Sequence, residues 1–399
     1  MKQKAVFYLI LTGLLQFECT SNRQSSDSLP FIDVSKNYHE KEIVLTEIAD
    51  VTYLHLSTLN DSFLYYGGIN YATENTLVVA DRFSNSILFF SEDGNPKSRL
   101  NRYGQGPEEY YQVYYPNMIY DEATDDLYVP SQDFIQVYSS TGKYKRKITL
   151  SHGINWLASI IVSFDDQSLL IYDIDKLWNK NIRRIAGDPL AFSLQMDSSF
   201  ALISKIDGKV LEYVDIPSPA LDLSMTSPIS SNAVWIGYQR IVKCSDGFLL
   251  CNPENDTIYL YKKDKSLTPI LRKIPLLSDG NIRVLENCVD AGKYQFMRVS
   301  RRRMDAKEES NETYYMRDKE TGEVFLQKIV LPDYKGKEFL FYAYGGFTRY
   351  MENGYQFNLS LYELKQANRE NRLSGALKEL VDTLNEDKDN DIFMIVKFK

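Results

Sequence analysis

Short apolar stretches separated by polar turns run along almost the whole chain. The clearest unit contains the stretches 77–81 and 87–90 and closes with a glycine turn at 92–94. A second copy begins at Leu127, 50 residues after the leading Leu77 of the first. Each copy is an apolar strand, a polar connection, a second apolar strand and a glycine turn. This order is typical of an antiparallel β-meander.

Weaker copies follow, and the repeats amount to five units and a split one. A period of about 40–50 residues with several strands per unit is typical of β-propeller blades, which hold four strands each. We therefore predict an all-β fold, a six-bladed β-propeller with four-stranded blades. The weaker copies contain residues 169–172, 201–203, 247–250, 257–261, 294–297, 312–315, 339–342, 354–357 and 392–396.

The strand-like residues before the first full unit suggest how the ring closes. An open propeller leaves an unpaired strand edge, which favours aggregation. Residues 43–45 and 51–56 have the apolar content of a strand. We expect this N-terminal segment to complete the last blade beside residues 392–396.

One helix is predicted near the C-terminus, where the strand pattern is interrupted. Apolar residues recur there at helical spacing with charged residues between them, which predicts an amphipathic helix. We expect it to pack against the outside or rim of the last blade. The apolar positions are Leu373, Leu377, Leu380, Val381 and Leu384.

The first residues have the features of an export signal. Lys2 and Lys4 precede the apolar stretch 5–15, which is too short for a transmembrane helix of about 20 residues. Cys19 follows, where bacterial lipoproteins carry their lipidated cysteine, although Glu18 replaces the usual small residue. We predict a signal peptide at 1–18, a polar tether at 19–40 and the propeller at 41–399. Cleavage at another position is the alternative.

Composition and charge exclude some classes of protein. Apolar residues make up 44% and charged residues 25% of the 399 residues, which is ordinary for a globular protein. The net charge is −8, and the run Arg301 to Arg303 is followed by acidic residues. Since nucleic-acid binders carry a basic face, we expect no nucleic-acid partner. We expect a monomer that meets a membrane only through an N-terminal lipid.

The segment 103–110, Tyr-Gly-Gln-Gly-Pro-Glu-Glu-Tyr, is the most distinctive motif. With the strands 127–129 and 135–138 it resembles the NHL repeat. Gly104 and Gly106 are expected to allow positive φ angles and Pro107 to fix the chain, so that the motif connects two blades in little space.

The whole layout resembles the six-bladed β-propeller lipoproteins common in Bacteroides and its relatives. The resemblance rests on residues 48–56, on the motif at 103–110, and on a C-terminal helix followed by residues 390–399. It implies the propeller fold and a cell-envelope location, at the periplasmic or surface face of the outer membrane. It does not imply an activity.

Catalytic chemistry has little support in the sequence. The three histidines, His39, His55 and His152, are not in any metal-ligand spacing. Some six-bladed propellers hold a metal in the central channel, and four polar residues follow predicted inner strands. The alternative function is therefore a metal-dependent, lactonase-like hydrolase with calcium or another divalent cation. Its candidate ligands are Asp81, Asn85, Asp133 and Asp173.

Aromatic residues in the predicted connections favour binding instead. Exposed aromatic rings stack on sugars or grip peptides, and arginine donates hydrogen bonds to anionic groups. We therefore predict a binding or scaffolding module for a glycan or an envelope protein, with no cofactor. The candidate contact residues are Tyr114, Tyr115, Trp156, Trp178, Trp235, Tyr238, Arg240, Tyr344 and Arg349.

Overall fold

The described residues of the chain form six β-sheets and three helices, which confirms the all-β fold. The six sheets succeed one another along the chain and are the blades of a propeller. The computed structural model describes residues 29–59, 61–111, 113, 118–131, 134–150, 160–172, 200–216, 240–251, 256–274, 277–278, 281–303, 311–341, 350–351 and 354–399.

The chain begins with an N-terminal segment, and three four-stranded antiparallel blades follow it. The N-terminal segment contains β1 (Phe31–Asp33), β2 (Glu40–Val44), α1 (Leu45–Ile48) and β3 (Ala49–His55). Blade 1 contains β4 (Ile69–Ala72), β5 (Thr76–Asp81), β6 (Ser86–Ser91) and β7 (Pro96–Leu100). Blade 2 contains β8 (Ile119–Asp121), β9 (Asp126–Pro130), β10 (Phe134–Tyr138) and β11 (Tyr144–Thr149). Blade 3 contains β12 (Ile160–Ser163), β13 (Ser168–Tyr172), β14 (Phe200–Ser204) and β15 (Val210–Tyr213).

The last three blades receive strands from the N-terminal segment. Blade 4 contains β16 (Ile241–Cys244), β17 (Gly247–Cys251), β18 (Thr257–Lys262) and β19 (Leu267–Ile274). Blade 5 contains β20 (Leu277–Ser278), β21 (Asn281–Ala291), β22 (Tyr294–Arg303), β23 (Asn311–Asp318), β24 (Val324–Val330) and β25 (Glu338–Phe339). Blade 6 contains β26 (Tyr350–Met351), β27 (Gly354–Leu359) and β28 (Ile392–Phe398), with α2 (Leu361–Arg369) and α3 (Gly375–Thr383) between β27 and β28.

The N-terminal strand closes the last blade, as predicted. β3 pairs antiparallel with β28, with His55 opposite Ile392 and Ala49 opposite Phe398. The prediction was wrong for residues 43 and 44, which lie in β2. That strand pairs in parallel with β24, at the outer edge of blade 5. β1 pairs in parallel with β19, at the outer edge of blade 4, so the segment predicted as a tether to residue 40 already contains a propeller strand.

Six apolar clusters lie between the six successive pairs of blades. Phe89 of blade 1 packs with Leu127 of blade 2, and the last cluster joins Val79 of blade 1 to Phe393 of blade 6. Strands in the middle of a blade, such as β5 and β10, are buried along their whole length because neighbouring blades cover both faces. The cluster between blades 6 and 1 shows that the ring is closed.

Two helices near the C-terminus replace the single predicted one. α3 covers only the middle of the predicted stretch, and Leu373 lies before it in a bridge with Tyr334. Leu377 and Val381 of α3 are buried in the cluster shared by blades 5 and 6, which agrees with packing at the rim. No helix in the described ranges is long and apolar enough to cross a membrane.

The strand order defines two faces of the ring. In each blade four antiparallel strands follow one another outward, counted from β4, β8, β12, β16, β21 and β26, with β3 as the fourth strand of blade 6. Connections from a second to a third strand, and from a fourth strand to the next blade, therefore lie at one face. We call this face the loop face. Its described part includes residues 56–59, 61–68, 82–85, 101–111, 331–337 and 360–391.

Candidate ligand-binding face

Three of the sequence-predicted site residues are described, and they lie next to strand ends of the loop face. Asp81 ends β5, Asn85 precedes β6, and Arg240 precedes β16. The other predicted positions lie outside the described residues. They are Tyr114, Tyr115, Asp133, Trp156, Asp173, Trp178, Trp235, Tyr238, Tyr344 and Arg349. Cys19, the predicted lipidation site, also lies outside the described residues.

Arg240 is buried, with 5% of its surface exposed. Its guanidinium carbon lies 4.6 Å from the centre of the Tyr172 ring, a cation–π contact between blades 3 and 4. Its carbonyl oxygen accepts a hydrogen bond from the N–H of Cys251. These contacts stiffen the blade junction, and a contact between Arg240 and a ligand stays a prediction.

Asp81 organises the turn between β5 and β6. Its Oδ1 accepts the backbone N–H groups of Tyr66 (3.0 Å) and Phe83 (3.1 Å). Its Oδ2 accepts the Ser84 N–H (3.2 Å) and the Ser84 hydroxyl. Burial alone would raise the pKa of Asp81, but these hydrogen bonds outweigh it and lower the pKa.

Asn85 completes the same turn in the left-handed region, with φ 55°. Its Oδ1 accepts the Val113 N–H at 3.4 Å, and its carbonyl accepts the Tyr110 hydroxyl at 2.7 Å. The oxygens of Asp81 and Asn85 are thus engaged within the protein. Among the described residues no group of three or more His, Cys, Asp or Glu is placed to hold a metal. The metal-dependent alternative, which also needs Asp133 and Asp173, stays a prediction.

Four exposed aromatic side chains share the loop face on blades 1 and 2, and we call them the aromatic set. Phe83 is 91% exposed, Tyr66 73%, Tyr103 56% and Tyr111 43%. The exposed Leu59 and Leu64 lie in the same connection as Tyr66. Scattered exposed apolar residues are normal, but several at one face mark an interaction surface.

The Asp81 carboxylate holds the backbones of Tyr66 and Phe83 close together. Both donate their N–H to the same oxygen of Asp81, and the Arg82 N–H donates to the Tyr66 carbonyl at 3.1 Å. The connection that carries Tyr66 is fastened by Asn390, which lies just before β28. The Asn390 Nδ2 donates to the carbonyls of Leu56 (2.9 Å) and Phe63 (3.1 Å). Blades 6 and 1 therefore fix the position of this pair together.

The motif at 103–110 places Tyr103 beside the same turn. The Asn101 Nδ2 donates to the Ser84 carbonyl at 3.0 Å, and its Oδ1 accepts the Tyr103 N–H at 3.1 Å. The Tyr110 hydroxyl accepts the Arg102 N–H at 3.1 Å. Burial raises the pKa of Tyr110 to about 12, so it stays a neutral hydroxyl.

The motif connects blades 1 and 2, as predicted, but the expected role of its glycines was wrong. Neither Gly104 nor Gly106 has a positive φ. A Cβ on Gly104 would instead collide with the Glu109 Oε2, which accepts the Gly106 N–H at 2.7 Å. The Gln136 side chain of blade 2 donates to the Pro107 carbonyl at 2.9 Å and anchors the motif.

Tyr111 extends the aromatic set onto blade 2. Its ring meets the ring of Phe134 edge-on at 5.8 Å, and the Lys147 amine lies 3.8 Å from the centre of the Phe134 ring. Arg82 and Arg102 are exposed and directly precede Phe83 and Tyr103. The face therefore offers rings for stacking, with guanidinium groups beside them.

Sequence reasoning missed the whole aromatic set. Phe83 and Tyr103 could have been found, because each is an aromatic residue inside a polar turn next to an arginine. Tyr66 gave no such signal, since its position depends on a hydrogen bond to Asp81, 15 residues away.

Residues 20–191 match a family model described as a 6-bladed beta-propeller. The match agrees with the six sheets, the six clusters between them and the closing strand. The chain is a six-bladed β-propeller. The propeller resembles the crystal structure of a candidate exported protein of Bacteroides fragilis, with a TM-score of 0.59 and 16% identity. That alignment covers 93% of this chain and 100% of the other.

Two further solved structures resemble the propeller less. A Bacteroides vulgatus protein has a TM-score of 0.44 and 10% identity, over 88% of this chain and 97% of that one. A streptogramin B lyase has a TM-score of 0.36 and 9% identity, over 76% and 91% of the two chains. The comparison with curated proteins found no match.

Proposed function

We propose that this propeller is an exported cell-envelope protein that binds a glycan or an envelope protein at its loop face. The observation that carries the proposal is the aromatic set, four exposed rings held at one face by a satisfied hydrogen-bond framework. The described groups around the rings, Asp81, Asn101 and the Tyr110 hydroxyl, are engaged within the protein. The rings are then the groups that face a ligand, and Arg82 and Arg102 lie next to them in the sequence.

The aromatic set suits binding because its backbone is already ordered. Tyr66, Phe83 and Tyr103 each have the backbone N–H bonded to an Asp81 or Asn101 side chain. A ligand would therefore meet a preorganised surface and little chain entropy would be lost on binding. Large aromatic residues with arginine dominate the free energy of many interfaces.

The envelope location rests on the predicted signal peptide, on lipidation at Cys19 and on the exported description of the Bacteroides fragilis relative. The first propeller strand, β1, starts at Phe31. A lipid at Cys19 would thus be joined to the outer edge of blade 4 by a short polar linker. The loop-face rings lie on other blades, 1 and 2, and stay open to a ligand.

The test measures binding of the mature chain to a panel of soluble polysaccharides by affinity electrophoresis, and to envelope proteins by cross-linking and mass spectrometry. Once a ligand is found, we expect Phe83→Ala and Tyr66→Ala each to lower the binding affinity about 5- to 30-fold. Tyr213→Ala is the matched control, because Tyr213 is 46% exposed on the outer strand β15. The proposal would be contradicted if Tyr213→Ala lost ligand binding while Phe83→Ala and Tyr66→Ala kept it.

A further inference from the structure

A cleft separate from the aromatic set opens at the loop face between blades 5 and 6. One wall is the segment around β25, and the other is the end of β27 with the start of α2. Its volume is about 250 Å³. Because an apolar cavity of about 150 Å³ already holds benzene, this cleft has room for one ring and a short substituent.

The floor of the cleft is apolar and rigid. Phe339, Phe357, Leu359 and Leu364 line it, and each is at most 6% exposed. The rings of Phe339 and Phe357 meet edge-on at 5.2 Å. All four side chains belong to the core cluster of blades 5 and 6, so the cleft is formed before any ligand binds.

The rim of the cleft carries more negative than positive charge. Lys337 on the first wall pairs with Glu363 of α2 at 3.6 Å. Glu338, also on the first wall, is exposed and makes no ion pair with another described residue. Asp391 accepts the Leu361 N–H at 2.8 Å, so a carboxylate also offsets the positive end of the α2 dipole. A cation at the rim therefore meets a carboxylate that no other cation of the described residues pairs with.

We propose that this cleft binds a ligand with one apolar ring and an ammonium group. The ring lies on Phe339 and Phe357, and the ammonium group pairs with Glu338. The ion pair between Lys337 and Glu363 joins the two walls and limits the size of the ligand. The same chemistry occurs in a free arylalkylamine and in the N-terminus of a peptide that starts with Phe.

The experiment follows 2-phenylethylammonium binding to the mature chain by saturation-transfer NMR. We expect a Kd on the order of 1 mM, and weaker binding of the neutral 2-phenylethanol and the anionic 3-phenylpropanoate. Binding of the peptide amide Phe-Gly-Gly distinguishes a free arylalkylamine from a peptide N-terminus as the ligand. Tighter binding than that of 2-phenylethylammonium assigns the cleft to a peptide N-terminus. Weaker binding assigns it to a small molecule.

Variants locate the binding in the cleft. Glu338→Gln should lower the affinity for 2-phenylethylammonium about three- to fivefold, as expected for an exposed ion pair. Asn358→Trp, at an exposed lip of the cleft, should abolish binding with an unchanged melting temperature. Glu320→Gln is the charge-matched control, since Glu320 lies 69% exposed in the turn before β24, away from the loop face. Equal binding of 2-phenylethanol, or full binding by both cleft variants, would overturn the proposal.

Discussion

Single polar side chains determine how the loop face is built. Asp81 accepts four hydrogen bonds, and Asn390 makes three that join blade 6 to the connection carrying Tyr66. Both are nearly buried, at 5% and 4% exposure. Leaving a buried polar group without its partner costs more free energy than the hydrogen bond itself contributes. Substitution of either residue should therefore destabilise the fold.

Asp81→Asn should lower the free energy of unfolding at pH 7 by about 1–2 kcal/mol, because one charged acceptor oxygen becomes an amide donor. The pKa of Asp81 is lowered in the folded protein, so the folded state binds its proton less readily than the unfolded chain. Its contribution is therefore complete above the unfolded pKa of about 4 and is lost as the pH falls through the folded value.

Urea unfolding at pH 7 and at several pH values below 4 measures this effect. The difference in unfolding free energy between the wild type and Asp81→Asn should become smaller as the pH falls. Asp246→Asn, in the exposed turn between β16 and β17, serves as the control. A gap that stays constant down to the lowest pH would mean that the Asp81 charge does not stabilise the turn.

At the scale of elements, the connection between β3 and β4 depends on a residue far away in sequence. Asn390→Ala would leave the carbonyls of Leu56 and Phe63 without their donor and the Tyr65 N–H without its acceptor. We expect a loss of about 2–3 kcal/mol in unfolding free energy and faster hydrogen exchange of the Tyr65 amide. Asn37→Ala, at an exposed site, should change neither.

Protection of the Tyr65 amide is the deciding measurement for Asn390. If exchange of that amide stays slow in Asn390→Ala while stability falls, the asparagine supports β28 rather than the connection. Phe83 should keep its position in Asn390→Ala, because its N–H bonds to Asp81 and not to Asn390.

The elements that the sequence predicted correctly are those whose pattern is local. Strands such as β5, β6, β9 and β10 are continuous apolar runs because neighbouring blades bury both of their faces. β1 and β2 were missed as separate outer strands, since β1 has three residues and β2 is mostly charged. Their pairing with β19 and β24 involves partners over 200 residues away, which no local pattern encodes.

The candidate site was less predictable than the fold for a physical reason. Burial leaves a periodic pattern in the sequence, whereas exposure of a turn residue does not. Phe83 is 91% exposed because the hydrogen bonds of Asp81 turn the chain outward, and its apolar side chain alone suggested the opposite. Arg240 shows the reverse case, an arginine expected at the surface that lies buried against Tyr172.

At the scale of the whole molecule, the N-terminal segment holds three blades in turn. β1 covers the edge of blade 4, β2 covers the edge of blade 5, and β3 completes blade 6. Only β3 is part of the ring closure itself. The first two strands cover edges that would otherwise offer unpaired N–H and C=O groups to other chains.

Removal of residues 1–44 should therefore leave a closed but weaker propeller. The deletion removes the buried side chains of Ile32, Val34 and Ile43, which contribute on the order of 4 kcal/mol together. We expect a lower melting temperature, one cooperative transition, and self-association through the bare edges of β19 and β24, measured by calorimetry and light scattering. Removal of residues 1–56 also takes β3 and leaves β28 paired with β27 alone. This longer deletion should abolish the single transition, because the cluster between blades 6 and 1 loses the strand that brings Leu54 and Leu56 to it. A longer deletion that melts as cooperatively as the shorter one would mean that the contacts between blades hold the ring without its closing strand.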